Sequence, residues 1–383
     1  MDTLLGTCEL SDLRRRTSAK WREHPGDVLP AFVAEMDFDL AEPIVRAVTS
    51  ALARGDCGYA HKGALGDAFA GFAAGRFGWA PDPGRVFPVP DVMTGLAEVV
   101  GAITEPGAGV VVNTPVYPPF LFRFGFYGRR IIEARLARDA GGRYDLDPAA
   151  IDAALAEPGA SVYVLCSPHN PTGNVWSRAQ LEMVAEACQR HGVTLLVDEI
   201  HAPLVLPGAD FVPFGSLDHE MTGQGFTFTS ASKGWNIPGL KCGLAVAGSD
   251  EGAALLAERW EALLAAHLGV LASVAAFTEG LPWLDAALAQ LGENRVLLAR
   301  LLAEHLPAVG YSPPDASFLA WLDCRRLGLG DDPAAVFLEK GRVAVSPGPR
   351  FGDAGRGFVR LNMGTSPALI GEAVRRMAAA VGV

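Results

Sequence analysis

Charge is scarce in this 383-residue sequence: only 20% of residues are charged, acids outnumber bases, and the net charge is −11. A nucleic-acid surface needs a basic face, so no nucleic-acid partner is expected, and Arg14 to Arg16 read as a solvated patch. Cysteine is scattered at Cys8, Cys57, Cys166, Cys188, Cys242 and Cys324, without a C-x-x-C or a Cys/His spacing. That excludes a disulfide framework or a structural metal site and fits a reducing compartment. No stretch approaches about eighteen uncharged apolar residues, and MDTLLGTCELSDLRRR has no apolar segment after a basic start. The expectation is a soluble, cytoplasmic chain with no membrane partner. H-E-x-x-H, G-x-x-x-x-G-K-[ST] and G-x-S-x-G are all missing.

Half of the residues are hydrophobic, enough for a large core and, at this length, for about two domains. Residues 1–40 read as an arm. Glu42-Pro43 opens a helix with Ile44, Val45, Val48, Ala51 and Leu52 on one face, ending near Gly55; Phe69 to Phe77 continues as helix, and Pro81 to Pro90 reads as a connector. From residue 92 strands and helices alternate: Leu96 to Ile103 is helical, and Gly109 to Val112, Ser161 to Ser167 and Thr194 to Ile200 are buried strands. Between the last two, Ser177 and Gln180 spell a capping box, Leu181, Val184, Ala185 and Cys188 make a face, and Gly192 ends the helix. Strand, helix, strand implies a crossover in a parallel sheet, whose ligands lie at the carboxyl ends of the strands. Helical patterns return at Glu251 to Leu271 and Trp283 to Leu306. Phe318 to Leu322, Val343 to Ser346 and Phe358 to Asn362 are short strands of a smaller unit beginning near residue 280.

The predicted strand ends carry the chemistry-bearing residues. SVYVLCS runs into Pro168, His169, Asn170, Pro171, Thr172 and Gly173; TLLVDEI delivers Asp198 and then His201; FTFT is followed by Ser230, Ser232 and Lys233. Lysine itself is rare, occurring only at Lys20, Lys62, Lys233, Lys241 and Lys340. A buried amine with a depressed pKa suits Schiff-base chemistry, though a lysine capping a turn is the plainer reading of Lys233 alone. An acid ending an apolar strand needs a cationic or protonated partner. A cofactor with an aldehyde and a basic nitrogen, such as pyridoxal phosphate, would use the lysine, the acid, the amide and the hydroxyls together.

KW…DVLPAFVAEMDF, GYAHKG, NTPVYPPF, SPHNPTGNVW, LLVDEIH, SASKGWNIPGLKCG, FLAWLD, VAVSPGPRFG and FVRLNMG follow one another in the order seen in one family. With these the chain resembles the fold-type I class I/II aminotransferase superfamily, in its MalY/PatB-type cystathionine β-lyase branch, over nearly its whole length. The resemblance implies an α/β fold: a large domain with a mostly parallel seven-stranded sheet flanked by helices, and a smaller α/β (α+β) C-terminal domain packed with the N-terminal arm. It divides the chain into the arm 1–40, the large cofactor-binding domain 41–280 and the small domain 281–383.

It also implies roles. Lys233 would form the Schiff base with pyridoxal 5'-phosphate and then act as base on the substrate Cα. Asp198 would keep the pyridine nitrogen protonated, Asn170 would donate to the phenolic oxygen, and His201 would face the same side. Tyr117 would stack on the ring. Gly95 and Leu96, with Ser230, Ser232 and Lys241, would hold the phosphate. Arg360, with Asn170, would take the substrate carboxylate, and Tyr59 would cross to the partner's phosphate in a homodimer with shared active sites. Taken singly, Tyr117 and His201 also read as core residues, Arg360 as an interdomain ion pair and Asn170 as a turn former. The implied reaction splits cystathionine or a cysteine S-conjugate into a thiol, pyruvate and ammonia; transamination of an amino acid is the alternative. Ser230 to Lys233 also reads S-x-x-K, but its S-D-N and K-T-G companions are absent and Ser230 is expected to end a strand. A pyridoxal-sensing regulator would need a winged helix larger than the arm.

Overall fold

The computed structural model describes residues 5–6, 9–259 and 263–382. Seven strands form the main sheet in the order Val86–Val89, Gly243–Ala247, Phe226–Thr229, Thr194–Asp198, Ala160–Cys166, Gly109–Thr114, Arg130–Arg135. Gly243–Ala247 runs antiparallel to both neighbours, and the other pairings are parallel. The expected mostly parallel sheet is therefore present, with its crossovers filled by helices.

Alternation along each strand decides which side chains face which layer. In Ala160–Cys166, Tyr163 and Leu165 pack with Leu181, Val184 and Cys188 of the helix Arg178–His191. Val162, Val164 and Cys166 pack on the opposite face with Leu96, Val99 and Val100 of the helix Val92–Ile103. In Thr194–Asp198 the same rule sends Leu195 and Val197 to the first face and Leu196 to the second. Asp198, two residues beyond Leu196, comes out on the second face, directly across from Cys166. The helix Arg178–His191 starts with the capping box of Ser177 and Gln180 and ends at Gly192 in the left-handed conformation, as its sequence predicts.

Four expectations change. Pro81 to Pro90 is not only a connector: Val86–Val89 is the edge strand of the large sheet, where Pro88 does no harm because an edge leaves one side unpaired. Of the apolar face after Glu42, Ile44 and Ala51 are buried, whereas Val45 is 43% and Leu52 51% exposed. The strand Arg130–Arg135 went unread because its alternating charges mask a half-buried edge. The helix expected over Glu251 to Leu271 is two helices, Asp250–Glu258 and His267–Glu279; residues 260–262, like Cys8, lie outside the described residues.

The smaller sheet is antiparallel, ordered Gly310–Tyr311, Leu319–Asp323, Phe358–Asn362, Ser346–Pro347. The N-terminal segment is laced to it. Leu29–Pro30 pairs in parallel with Val343–Ala344. Asn362 Nδ2 donates to the carbonyls of Val33 at 2.7 Å and Glu35 at 2.6 Å. Asn236, shortly after the helix Ala231–Gly234, holds Met36 from the other side, accepting from its N–H and donating to its carbonyl, both at 2.7 Å. Beneath this strap Lys20 Nζ donates to Asp37 Oδ1 at 2.7 Å, both side chains almost fully buried. Such a pair costs desolvation energy, so each partner depends on the other.

Candidate active site

A cavity of about 330 Å³ opens at the carboxyl ends of the parallel strands. Lys233, Asp198, Asn170, His201, Tyr117, Ser230, Ser232 and Lys241 all line it, brought together from segments far apart in the chain. Lys233 does not end a strand; it sits on the short helix Ala231–Gly234, capped by Ser230, whose Oγ accepts from Ser232 N–H. Ser230 therefore caps a helix rather than ending the strand Phe226–Thr229, contrary to expectation, while the companions of an S-x-x-K enzyme are missing from the sequence.

Lys233 Nζ donates to the Ala34 carbonyl at 2.8 Å. Burial, then the nearby Arg360 charge, lowers its pKa to about 8, against the pull of Glu35 and Asp198. About a tenth of it is therefore the free amine at pH 7, far more than at an ordinary lysine pKa, which favours its use as a nucleophile and base. Asp198 moves the other way: burial raises its carboxyl to about 7, although the Ile200 N–H, 3.0 Å from Oδ1, and the Lys233 charge oppose this. Burial lowers His201 to about 3, helped by the Lys233, Arg360 and His169 charges, so the ring stays neutral. Its Nδ1 is buried without a hydrogen-bond partner among the described residues. Burial also raises the Tyr117 hydroxyl above its ordinary range.

Arg360 stands behind the wall rather than on it. Its Nη1 donates to Asn170 Oδ1 at 3.1 Å, its Nη2 to the Phe32 carbonyl at 3.1 Å and to Ser346 Oγ at 3.3 Å, and it lies over the Phe351 ring. No acid pairs with it among the described residues, and burial lowers its pKa to about 10, leaving it charged at neutral pH. Because a guanidinium can only donate, the Asn170 oxygen must face it, and the Asn170 NH₂ remains as a donor on the cavity side.

Besides Arg360, three assignments do not join the cavity wall. Gly95 N–H is spent on the Asp91 carbonyl at 3.0 Å. A Cβ at Gly95 would meet Val89 and Phe228 at 3.0 and 3.2 Å, so this glycine serves close packing of helix on sheet. Leu96 is fully buried in the core. The residues of this helix that reach the cavity lie one turn earlier, Val92 and Met93, in the turn whose N–H groups lack intrahelical acceptors. Tyr59 is 91% exposed, outside this chain's own cavity. Ser230 Oγ lines the cavity but donates to the Cys242 carbonyl at 2.6 Å, so its proton is engaged. Sequence reasoning missed Ala34, Asp91, Val92, Met93 and Arg123, all on the cavity wall. The Asp91-x-x-Thr94 cap before an apolar helix was the available signal for the middle three.

The model of the aminotransferase class I and II family matches residues 81–377; the chain belongs to that family. A relative from Mycobacterium leprae, provisionally named a cystathionine beta-lyase, is 44% identical, covering 97% of this chain and 96% of its own. Cystathionine beta-lyase PatB of Bacillus subtilis is 37% identical, with 93% of each chain covered. Among solved structures, a protein of Corynebacterium diphtheriae, provisionally described as a PLP-dependent beta-cystathionase, superposes with a TM-score of 0.92 at 33% identity over 99% of both chains.

The donor set fits pyridoxal phosphate on the structure's own terms. Asp198 is a buried carboxyl lacking an ion-pair partner among the described residues, which a protonated ring nitrogen would supply. Lys233 is a lowered-pKa amine in the same cavity, and Val92 and Met93 open a helix N-terminus toward it, the usual seat of a phosphate.

Proposed function

We propose that this protein is a pyridoxal-phosphate-dependent carbon–sulfur β-lyase that cleaves cystathionine or a cysteine S-conjugate. One molecule of R–S–CH₂–CH(NH₂)–COOH and one of water give R–SH, pyruvate and ammonia. The observation that carries this reading is the convergence on one cavity of the low-pKa Lys233 amine and the buried Asp198 carboxyl. The chain containing them is alike over nearly its full length to proteins named cystathionine β-lyases.

Pyridoxal phosphate, when bound, supplies an aldehyde for amine capture and a ring that accepts negative charge from the substrate Cα. The protein does the rest. Lys233 would hold the cofactor and serve as the base for the Cα proton, and Asp198 would keep the ring nitrogen protonated. The Asn170 NH₂ would donate to the phenolic oxygen, and neutral His201 and Tyr117 would complete the wall around the ring. Val92 and Met93 N–H, Ser232 and Lys241 would form the phosphate end, while Ser230, its proton given to the Cys242 carbonyl, caps the helix that carries Ser232. Arg360, reaching past Asn170, binds the substrate carboxylate, so the Cα–H bond is presented to Lys233. Loss of that proton drives out the β-thiolate, which takes up a proton to leave as the thiol.

Tyr59 is assigned to a partner's phosphate in a homodimer, consistent with its exposure away from its own cavity. The same reading keeps the arm 1–40, large domain 41–280 and small domain 281–383. Free Cys57, Cys166, Cys188, Cys242 and Cys324 suit a cytoplasmic enzyme, and among the described residues no helix is long and apolar enough to cross a membrane.

Incubation with L-cystathionine and no keto acid tests the reaction. Pyruvate and a thiol in equal amounts are expected. Amino-group transfer to an added keto acid, without pyruvate release from cystathionine, would establish the aminotransferase alternative.

A further inference from the structure

The start of the helix Val92–Ile103 holds an acid where a phosphate is to bind. Asp91 caps the helix: its Oδ1 accepts Thr94 N–H at 2.8 Å, and its Oδ2 accepts Lys241 Nζ at 3.0 Å. On the far side of Thr94, Arg123 Nη2 donates to Thr94 Oγ1 at 3.2 Å. Asp91, Lys241 and Arg123 all line the cavity that contains Lys233. Burial raises the Asp91 carboxyl, but the Thr94 N–H and the Lys241 ammonium outweigh it and hold it below the usual range, so it is ionised.

The charges then sum in an informative way. Asp91 neutralises Lys241, so that lysine gives a phosphate dianion little net attraction; the acid also opposes the favourable field of the helix N-terminus. Arg123 is the remaining cation at this end. It makes no ion pair among the described residues, and its single hydrogen bond, to Thr94, ties it to the first turn and leaves its other donors unspent.

We propose that Arg123 is a phosphate-binding residue of the cofactor cup, offsetting Asp91, which caps the helix and sets how tightly the phosphate is held. Arg123 is thereby distinct from the carboxylate-binding Arg360, which is tied to Asn170 at another part of the wall. The proposal rests on pyridoxal phosphate being the cofactor, which visible absorbance of the unsubstituted protein checks separately.

The test titrates the full-length protein, stripped of cofactor, with pyridoxal phosphate and with pyridoxal, which lacks the phosphate, following absorbance and tryptophan fluorescence. Arg123→Gln is expected to weaken pyridoxal phosphate binding roughly ten- to a hundredfold, the range for a charge-assisted contact, and to leave pyridoxal binding unchanged. Asp91→Asn keeps a capping side chain but removes its charge, and is expected to tighten pyridoxal phosphate binding roughly two- to fivefold, more at low salt. Equal losses for both ligands in Arg123→Gln, or unchanged pyridoxal phosphate binding, overturn the role of Arg123. If Arg123→Gln does not fold, Arg123→Lys takes its place: it keeps the charge but not the fork, and is expected to weaken pyridoxal phosphate alone. Looser or unchanged binding in Asp91→Asn overturns the compensating role of Asp91.

Discussion

Arg360 Nη1 donates to Asn170 Oδ1 at 3.1 Å across 190 residues of sequence, joining the smaller sheet to the loop that follows a strand of the larger one. The contact fixes two functional groups at once. It orients the Asn170 amide so that its donor faces the cavity, and it steadies a buried guanidinium that has no acid partner among the described residues. Arg360→Lys keeps the charge but loses the planar fork. It is expected to lower kcat/KM for cystathionine by roughly 10- to 100-fold, mostly through KM, with cofactor absorbance preserved. An unchanged KM would remove Arg360 from carboxylate binding.

Lys233→Ala removes both the proposed covalent anchor and the proposed Cα base. Turnover is expected to fall by at least roughly 10²–10⁴-fold, the usual contribution of a positioned base. Borohydride reduction should fix no cofactor onto the peptide containing residue 233, where the unsubstituted protein is labelled. A labelled lysine elsewhere in the chain would overturn the assignment.

The Asp198 carboxyl is raised by burial to about 7 from an ordinary 3.8. Between these values the cofactor-free folded state binds more protons than the unfolded chain, so the contribution of Asp198 to stability falls as pH rises. It is fully present below about pH 4 and lost by about pH 7. Neutral His201, lowered by burial to about 3, acts in the opposite sense between about 3 and 6.5. The difference between the unsubstituted protein and Asp198→Asn cancels that histidine. The Tm of the cofactor-free unsubstituted protein is therefore expected to drop relative to Asp198→Asn from pH 4 to 7 and to run parallel above pH 8. Parallel profiles throughout would contradict the raised carboxyl.

The buried Lys20–Asp37 pair under the N-terminal strap gives a prediction about stability. Asp37→Ala strands an ammonium in the core and is expected to cost about 3–5 kcal/mol, a large part of a typical 5–15 kcal/mol total. Lys20→Met with Asp37→Leu together should recover most of it. Urea unfolding of the two variants measures both effects, and a single variant as stable as the double would show that the pair is not coupled.

Asn236 clasps Met36 by two 2.7 Å bonds while holding a left-handed backbone at φ 58°, which asparagine tolerates better than most residues. Asn236→Ala should loosen the segment whose Ala34 carbonyl accepts from Lys233. Faster limited proteolysis within residues 31–38 is expected, together with a fall in kcat; intact resistance to protease would show the strap is held elsewhere.

Much of this molecule is written locally. The capping box at Ser177 and Gln180, the left-handed Gly192 and the apolar strands before Asp198 and Asn170 follow from short-range rules, and residues in order along a chain can be read as a motif. Arg130–Arg135 escaped because strand pairing against Gly109–Thr114, not its own alternating charges, makes it a strand. Val45 and Leu52 escaped because the width of a buried stripe depends on what packs against it.

The sequence by itself determined which side chains exist to do chemistry: one lysine after FTFT, the acid Asp198 in TLLVDEI, one amide before Pro171. Only the tertiary structure decided what each of them feels. Burial in a shared cavity brings the Lys233 pKa down to about 8 and the Asp198 pKa up to about 7. The helix phase turns Val92 and Met93 toward the cavity and sends Gly95 and Leu96 into the core. Desolvation and helix phase are properties of neighbours distant in the chain, so the place of Val92 and Met93 on the cavity wall and the Arg123–Thr94–Asp91–Lys241 arrangement emerge only once the chain has folded.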